Sequence, residues 1–105
     1  MIYEVKWSSA SLDDAKNIVA FVKSTTGTTA SKKFINALRD AENNLSRFPF
    51  LGHLSDTYSP CRVLAAKHTN LYYIVNESEH LVSIVAVWDN RRDTDNLETT
   101  LKKRI

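Results

Sequence analysis

A set of cationic and aromatic residues lies on or beside three apolar runs in the second half of this sequence, which is 105 residues long. Arginine donates paired hydrogen bonds to phosphate, and tyrosine or tryptophan can stack on unpaired bases. Because neighbouring strands lie close together, such residues on adjacent strands predict a surface suited to polyanions. For the three aromatic residues, packing inside a core is the stronger explanation. The residues in question are Arg62, Lys67, His68, Tyr72, Tyr73, Trp88, Arg91 and Arg92.

Other kinds of site are excluded by counting. A chain with 2 glycines cannot build a glycine-rich phosphate loop, and 1 cysteine with 3 dispersed histidines matches no zinc spacing. Cys61 opens an apolar stretch, so a buried and inert thiol is expected. Asp13 and Asp14 lie near a helix start, where capping explains them better than acid catalysis does. We therefore expect neither a metal nor a cofactor.

The cationic residues fall on or between three apolar runs, Cys61–Lys67, Leu71–Val75 and Leu81–Trp88. Connections of about four residues indicate an antiparallel meander. The last run is apolar at both alternations, which predicts the central strand. Arg62 shares one face of its strand with Leu64, and its place at the strand start predicts a position at a sheet edge.

A strand and two helices are predicted before this meander. Residues 3–7 alternate as a half-buried strand does, and Ser11 begins a Ser-x-x-acid helix start. The first helix should end near Gly27, and a second apolar stripe runs from Ala30 to Phe48, closed by Pro49. The helices should form an antiparallel hairpin packed on the meander, and residues 95–105 a short C-terminal helix. The fold class is thus a single α+β domain, residues 1–105, ordered β-α-α-β-β-β.

Composition and charge narrow the class of protein. With 43% hydrophobic and 25% charged residues, the chain is an ordinary folded domain. Its net charge of +2 is too small to indicate a nucleic-acid binder. A single cysteine, no signal-like start and no apolar run of membrane-spanning length predict a cytoplasmic protein that does not enter a membrane.

Four features in the same order resemble the RelE/ParE superfamily of bacterial toxins from type II toxin–antitoxin systems. They are the first strand ending in Trp7, Phe48-Pro49-Phe50-Leu51-Gly52 after the second helix, Arg62-Val63-Leu64 followed by the Tyr-rich Leu71–Val75, and the Ile84–Asp93 ending. The resemblance covers nearly the whole chain. It implies a growth-inhibiting toxin, often a plasmid-stabilising one, that a cognate antitoxin neutralises.

The superfamily divides by target. RelE-like members cut messenger RNA in the ribosome without a metal, using several Lys, Arg and Tyr residues, whereas ParE-like members inhibit DNA gyrase. This sequence has no lysine between His53 and Pro60, carries Asn70 where the ribonucleases have arginine, and has no tyrosine after Trp88. Arg62 matches an arginine common in ParE-like chains. The resemblance therefore favours the ParE-like branch, a non-enzymatic gyrase inhibitor.

Three hypotheses for function remain open. As a gyrase inhibitor the chain would contact its target through Arg62, Lys67, Trp88, Arg91 and Arg92. As a ribosome-dependent mRNA interferase it would use Arg62, His68, Arg91 and Arg92 as acid, base and charge stabilisers. The third hypothesis is an inactive toxin or a binding module. The expected partners are an antitoxin and either gyrase or ribosome-bound mRNA, and the expected assembly is a homodimer or a toxin–antitoxin hetero-oligomer.

Overall fold

The computed structural model describes residues 2–92 and 94–105. It confirms the α+β fold class, with three helices and a five-stranded mixed sheet. The elements in chain order are β1 (Glu4–Trp7), α1 (Ser9–Thr26), α2 (Thr28–Arg47), β2 (His53–Leu54), β3 (Arg62–Ala66), β4 (Thr69–Asn76), β5 (Leu81–Asp89) and α3 (Leu97–Arg104). No helix in this described part of the chain is long and apolar enough to cross a bilayer.

The sheet has the strand order β1-β5-β4-β3-β2. β1 runs parallel to β5, and the other neighbours are antiparallel. β5 has a strand on both sides, as its apolar sequence requires, but the middle strand of the sheet is β4, so the prediction of a central β5 is wrong. The sheet also contains a strand that the sequence analysis does not predict, β2, which lies between α2 and β3. A strand of two residues has no periodicity that a sequence could reveal.

The helical hairpin covers one face of the sheet. Gly27 joins α1 to α2 with φ 106°, a conformation that residues with a side chain rarely adopt. The apolar stripes of both helices pack on alternate residues of β3, β4 and β5, as predicted. Phe48, the last residue of the predicted second stripe, is the exception, because it follows the end of α2 and is exposed outside this core. This core includes Phe34, Leu38, Leu45, Leu71, Tyr73 and Ile84.

The predicted C-terminal helix forms and covers part of the opposite face. Leu97 and Leu101 of α3 pack with Cys61, Tyr72 and Trp88 in a second core. Cys61 is fully buried, and burial raises the pKa of its thiol to about 11. A thiol with that pKa is inert at neutral pH, as predicted.

A bulge in β5 allows this strand to serve both cores. Tyr72 pairs with Ala86 and Tyr73 pairs with Ile84, so Val85 is the additional residue. Val82, Ile84 and Val87 therefore pack in the hairpin core, while Val85 and Trp88 pack on the α3 side.

Beyond this bulge, side chains replace a neighbouring strand. β1 ends opposite Ile84, so the following residues of β5 have a free edge. Asp14 accepts a hydrogen bond from the Val87 N–H (3.1 Å), and Arg104 Nη1 donates to the Val85 carbonyl (3.0 Å) and to Asp14 Oδ2 (2.6 Å). The edge is thereby tied to both α1 and α3.

The start of α1 differs from the prediction. Ser8 caps the helix, accepting a hydrogen bond from the Ser11 N–H at 3.0 Å, so the helix begins before the predicted capping residue Ser11. Asp13 and Asp14 therefore lie beyond the first turn, and the predicted capping role is wrong. The Ser-x-x-acid motif at Ser11 indicates the wrong capping residue, because the actual cap, Ser8, has no acidic residue three positions later.

Candidate functional site

Four of the predicted site residues meet at one end of the sheet. The turn between β3 and β4 contains Lys67 and His68, and the Asn90 N–H donates to the His68 carbonyl at 2.9 Å. Arg91 and Arg92 follow directly. We call the group of Lys67, His68, Arg91 and Arg92 the basic end; all four side chains are exposed.

The turn that presents Lys67 and His68 is shorter than predicted. β4 already begins at Thr69, whose hydroxyl donates to the Ala66 carbonyl at 2.7 Å. Lys67 has a positive φ of 56°, as tight hairpins require. The turn therefore holds a lysine in a conformation more usual for glycine or asparagine.

Arg91 is largely neutralised by its own strand. Its Nε donates to Asp89 Oδ1 at 2.9 Å and its Nη2 to Oδ2 at 2.7 Å. These hydrogen bonds lower the pKa of Asp89 below its ordinary value. The guanidinium also lies 5.3 Å from the ring centre of the exposed Phe21. Most of the charge of Arg91 is thus compensated within the molecule.

Trp88 lies inside the second core, where it is 4% exposed. Arg92 covers its ring, with the guanidinium carbon 4.3 Å from the ring centre. The buried Nε1 of Trp88 has no hydrogen-bond partner among the described residues. A partner would therefore meet Arg92 before it could reach Trp88. Asp93, which ends the family-like motif, lies outside the described residues.

Two clefts flank Arg91. The first, of about 380 Å³, lies between α1 and the free edge of β5, and the second, of about 200 Å³, lies between the hairpin and the β3–β4 turn. Both include Ile18, and the second adds Lys33 beside Lys67 and His68. Lys33 was not predicted, because nothing in the sequence of α2 distinguishes it from an ordinary exposed lysine.

Arg62 lies away from this group. Strand register places Arg62 level with Ile84, whereas the β3–β4 turn is level with Asp89. The four-residue step along β3 amounts to about 13 Å. Arg62 Nη1 donates to the Gly52 carbonyl at 2.8 Å, and its guanidinium lies 4.8 Å from the ring centre of Phe50. The prediction that all eight residues form one surface is therefore wrong.

The tyrosines of β4 are also unavailable as surface groups. Tyr72 and Tyr73 are buried on opposite faces, and burial raises the pKa of both phenols. Tyr73 Oη accepts a hydrogen bond from the Gly52 N–H at 2.9 Å. Core packing is therefore their role, as predicted.

The histidines lie apart, His53 on β2, His68 at the basic end and His80 in the β4–β5 turn. Within residues 2–92 and 94–105 no group of three or more His, Cys, Asp or Glu side chains could hold a metal ion.

Comparison with known proteins gives a consistent picture. Residues 5–94 match the family model of the ParE toxin of type II toxin–antitoxin systems, parDE. Among solved structures, the chain is similar to the chromosomal ParDE toxin–antitoxin system from P. aeruginosa, with a TM-score of 0.71 and 14% identity over 84% of this chain and 96% of that chain.

Two further structures share the fold. The toxin–antitoxin complex RelBE2 from Mycobacterium tuberculosis gives a TM-score of 0.63 with 16% identity, over 85% of this chain and 99% of that one. A mutant of the E. coli toxin RelE in the free state gives 0.66 with 16% identity, over 100% and 99%. Comparison with curated protein sequences gave no match.

Proposed function

Because the chain belongs to the ParE toxin family of type II toxin–antitoxin systems, we propose that it arrests growth by binding DNA gyrase and that a cognate antitoxin neutralises it. Such a toxin acts by contact and needs no catalytic group. The chain's own surfaces would then supply affinity and specificity for a protein target.

The observation that carries this proposal is the dispersal of the groups that RNA cleavage would need. Cleavage without a metal needs a base for the ribose hydroxyl, an acid for the leaving oxygen and cations for the phosphate. Arg62 is at the other end of β3, Tyr72 and Tyr73 are buried, and Arg91 is bound to Asp89. In the described part of the chain, His68 is the one histidine at the basic end.

The two clefts beside Arg91 fit the proposed antitoxin. The structures similar to this chain include toxin–antitoxin complexes from P. aeruginosa and Mycobacterium tuberculosis. Ile18 and Phe21 give the clefts an apolar lining, and Lys33 and Lys67 have no carboxylate partner among the described residues. An amphipathic segment with acidic residues fits such a lining.

One observation favours the ribonuclease as the alternative. His68 and Arg92 lie at the same end of the sheet with Lys67, so a proton-transfer group and two cations are close together. This set lacks Arg62, which the ribonuclease hypothesis also requires.

Induced expression separates the two functions. We expect growth arrest with relaxation of plasmid supercoiling and intact messages. Primer extension that shows cuts within translated codons, with supercoiling unchanged, would establish the ribonuclease instead. A chain that arrests neither growth nor supercoiling would be an inactive toxin.

A further inference from the structure

Four large apolar side chains are exposed within seven consecutive positions. Phe48 is 61% exposed, Phe50 46%, Leu51 53% and Leu54 55%, and neither core includes them. We call these four residues the apolar surface. Exposed apolar groups that lie together commonly mark a contact with another molecule.

The backbone beneath this surface is firmly held. The Gly52 N–H donates to Tyr73 Oη at 2.9 Å, and the Gly52 carbonyl accepts from Arg62 Nη1 at 2.8 Å. Tyr73 is fully buried, so its hydroxyl is a fixed point. A Cβ at position 52 would lie 2.4 Å from the Val63 carbonyl oxygen, which shows how closely the segment approaches β3. The four apolar side chains are therefore held in exposed positions by the fixed backbone around Gly52.

Arg62 also contributes a ring contact and a positive charge to the region of the apolar surface. Its guanidinium stacks on Phe50, and no carboxylate among the described residues pairs with it. The remaining N–H groups of Arg62 are thus available to a carboxylate outside the chain.

The shape of this region differs from that of the basic end. The clefts beside Arg91 recede, whereas the four apolar side chains line neither cleft and are between 46% and 61% exposed, on or near β2, the terminal strand of the sheet. A groove accommodates a flexible segment, but an exposed surface on a preformed backbone suits a folded protein face and loses little entropy on binding. Nucleic acid is a poor partner here, since the surface is apolar.

We propose that the apolar surface is the principal contact between this toxin and its folded protein target, and that Arg62 positions it. The complementary face on the target is apolar, with a carboxylate at its margin for Arg62. This inference rests on the proposed function, in which the toxin acts by binding a protein.

Glutamate substitutions test the proposal. Leu51→Glu and, separately, Phe48→Glu place a charge at exposed positions outside both cores and next to no residue of the basic end. Each should raise the concentration that half-inhibits purified DNA gyrase at least tenfold and abolish growth arrest. Thermal unfolding of each variant should match that of the wild-type chain.

Two control variants carry the same charge elsewhere. Leu12→Glu changes an α1 residue that is 43% exposed, and Ile105→Glu changes the residue after α3, which is 49% exposed. Both should arrest growth within about threefold of wild type, an effect expected of a changed charge remote from the contact.

The outcomes are distinguishable. Full arrest by Leu51→Glu and Phe48→Glu overturns the inference, and so does a loss of arrest that is confined to Leu12→Glu or Ile105→Glu. If either glutamate variant is unstable, Leu51→Ser and Phe48→Ser should still lose arrest while folding normally, and normal arrest by these would overturn it equally. If the wild-type chain arrests growth without inhibiting gyrase, the gyrase proposal fails, and the surface is then judged by growth arrest alone.

Discussion

The molecule contains two arginines that each stack on an exposed phenylalanine, and they differ in what else they bind. Arg91 lies 5.3 Å from Phe21 and is held by the carboxylate of Asp89, while Arg62 lies 4.8 Å from Phe50 and is held by the carbonyl of Gly52. A carboxylate compensates a positive charge, and a carbonyl only orients it. Of these two arginines, Arg62, although half-buried, is the one whose charge no carboxylate of the described residues compensates.

The largest expected effect concerns the segment that Arg62 holds. Gly52→Ala should lower the free energy of unfolding by about 2–3 kcal/mol, because backbone atoms of Val63 block the new Cβ. Urea denaturation measures the loss, and amide spectra should show residues 48–54 displaced.

Gly27→Ala is the control for this change. Its Cβ would meet no atom within 4 Å, but its φ of 106° is strained for alanine. It should lower stability by about 1–3 kcal/mol and leave the spectra of residues 48–54 unchanged. Displacement of that segment by both variants would contradict the local role of Gly52.

Asp14 and Arg104 tie α1 and α3 to the free edge of β5. Arg104→Met removes hydrogen bonds to Asp14 and Val85, and should lower the free energy of unfolding by about 1–2 kcal/mol, because both charged side chains are mostly buried. Lys102→Met is the matched control, since its pair with Glu98 is more than half exposed, and should cost about 0.5 kcal/mol or less. If both variants lost the same free energy of unfolding in urea denaturation, the hydrogen bonds of Arg104 would not stabilise the free edge of β5.

Much of this fold could be predicted from the sequence. The periodic stripes of α1 and α2, the meander and the helical tail are all local patterns, and their order carried the family resemblance. Long-range pairs were out of reach: Asp14 and Arg104 are 90 positions apart, and only the folded chain brings them to the same edge.

The site was predicted less well. The sequence predicts that Arg62 lies with the basic end, because neighbouring strands are close together. Closeness across strands does not fix position along a strand, and Arg62 lies four residues along β3 from the β3–β4 turn. The exposure of Phe48 to Leu54 was also hidden, since apolar residues in a sequence ordinarily indicate burial. Gly52 and Tyr73, whose hydrogen bond fixes that segment, are 21 positions apart, and neither residue alone predicts the contact.

A smaller effect is expected from the cations of the basic end. Arg91→Ala combined with Arg92→Ala should leave the fold intact and weaken growth arrest by roughly threefold, because rim charges mainly accelerate association. Gyrase inhibition measured at low and high salt should show the difference only at low salt. A salt-independent loss of more than tenfold would place the principal contact at this end.

The smallest expected effect is on the pH dependence of stability. Arg91 lowers the pKa of Asp89 in the folded state, so the pair stabilises the fold above the unfolded pKa of about 3.9 and this contribution is lost as the pH falls below it. Arg91→Gln should therefore reduce the loss of unfolding free energy between about pH 5 and pH 2. An unchanged acid profile would indicate that Asp89 gains nothing from Arg91.

Supercoiling by purified DNA gyrase, titrated with the wild-type chain, tests the central claim most directly. We predict that the toxin alone inhibits the reaction, without nucleotide or metal beyond what gyrase itself needs, because contact is sufficient. Gyrase that remains fully active, while the same preparation cuts messages on translating ribosomes, would contradict the account.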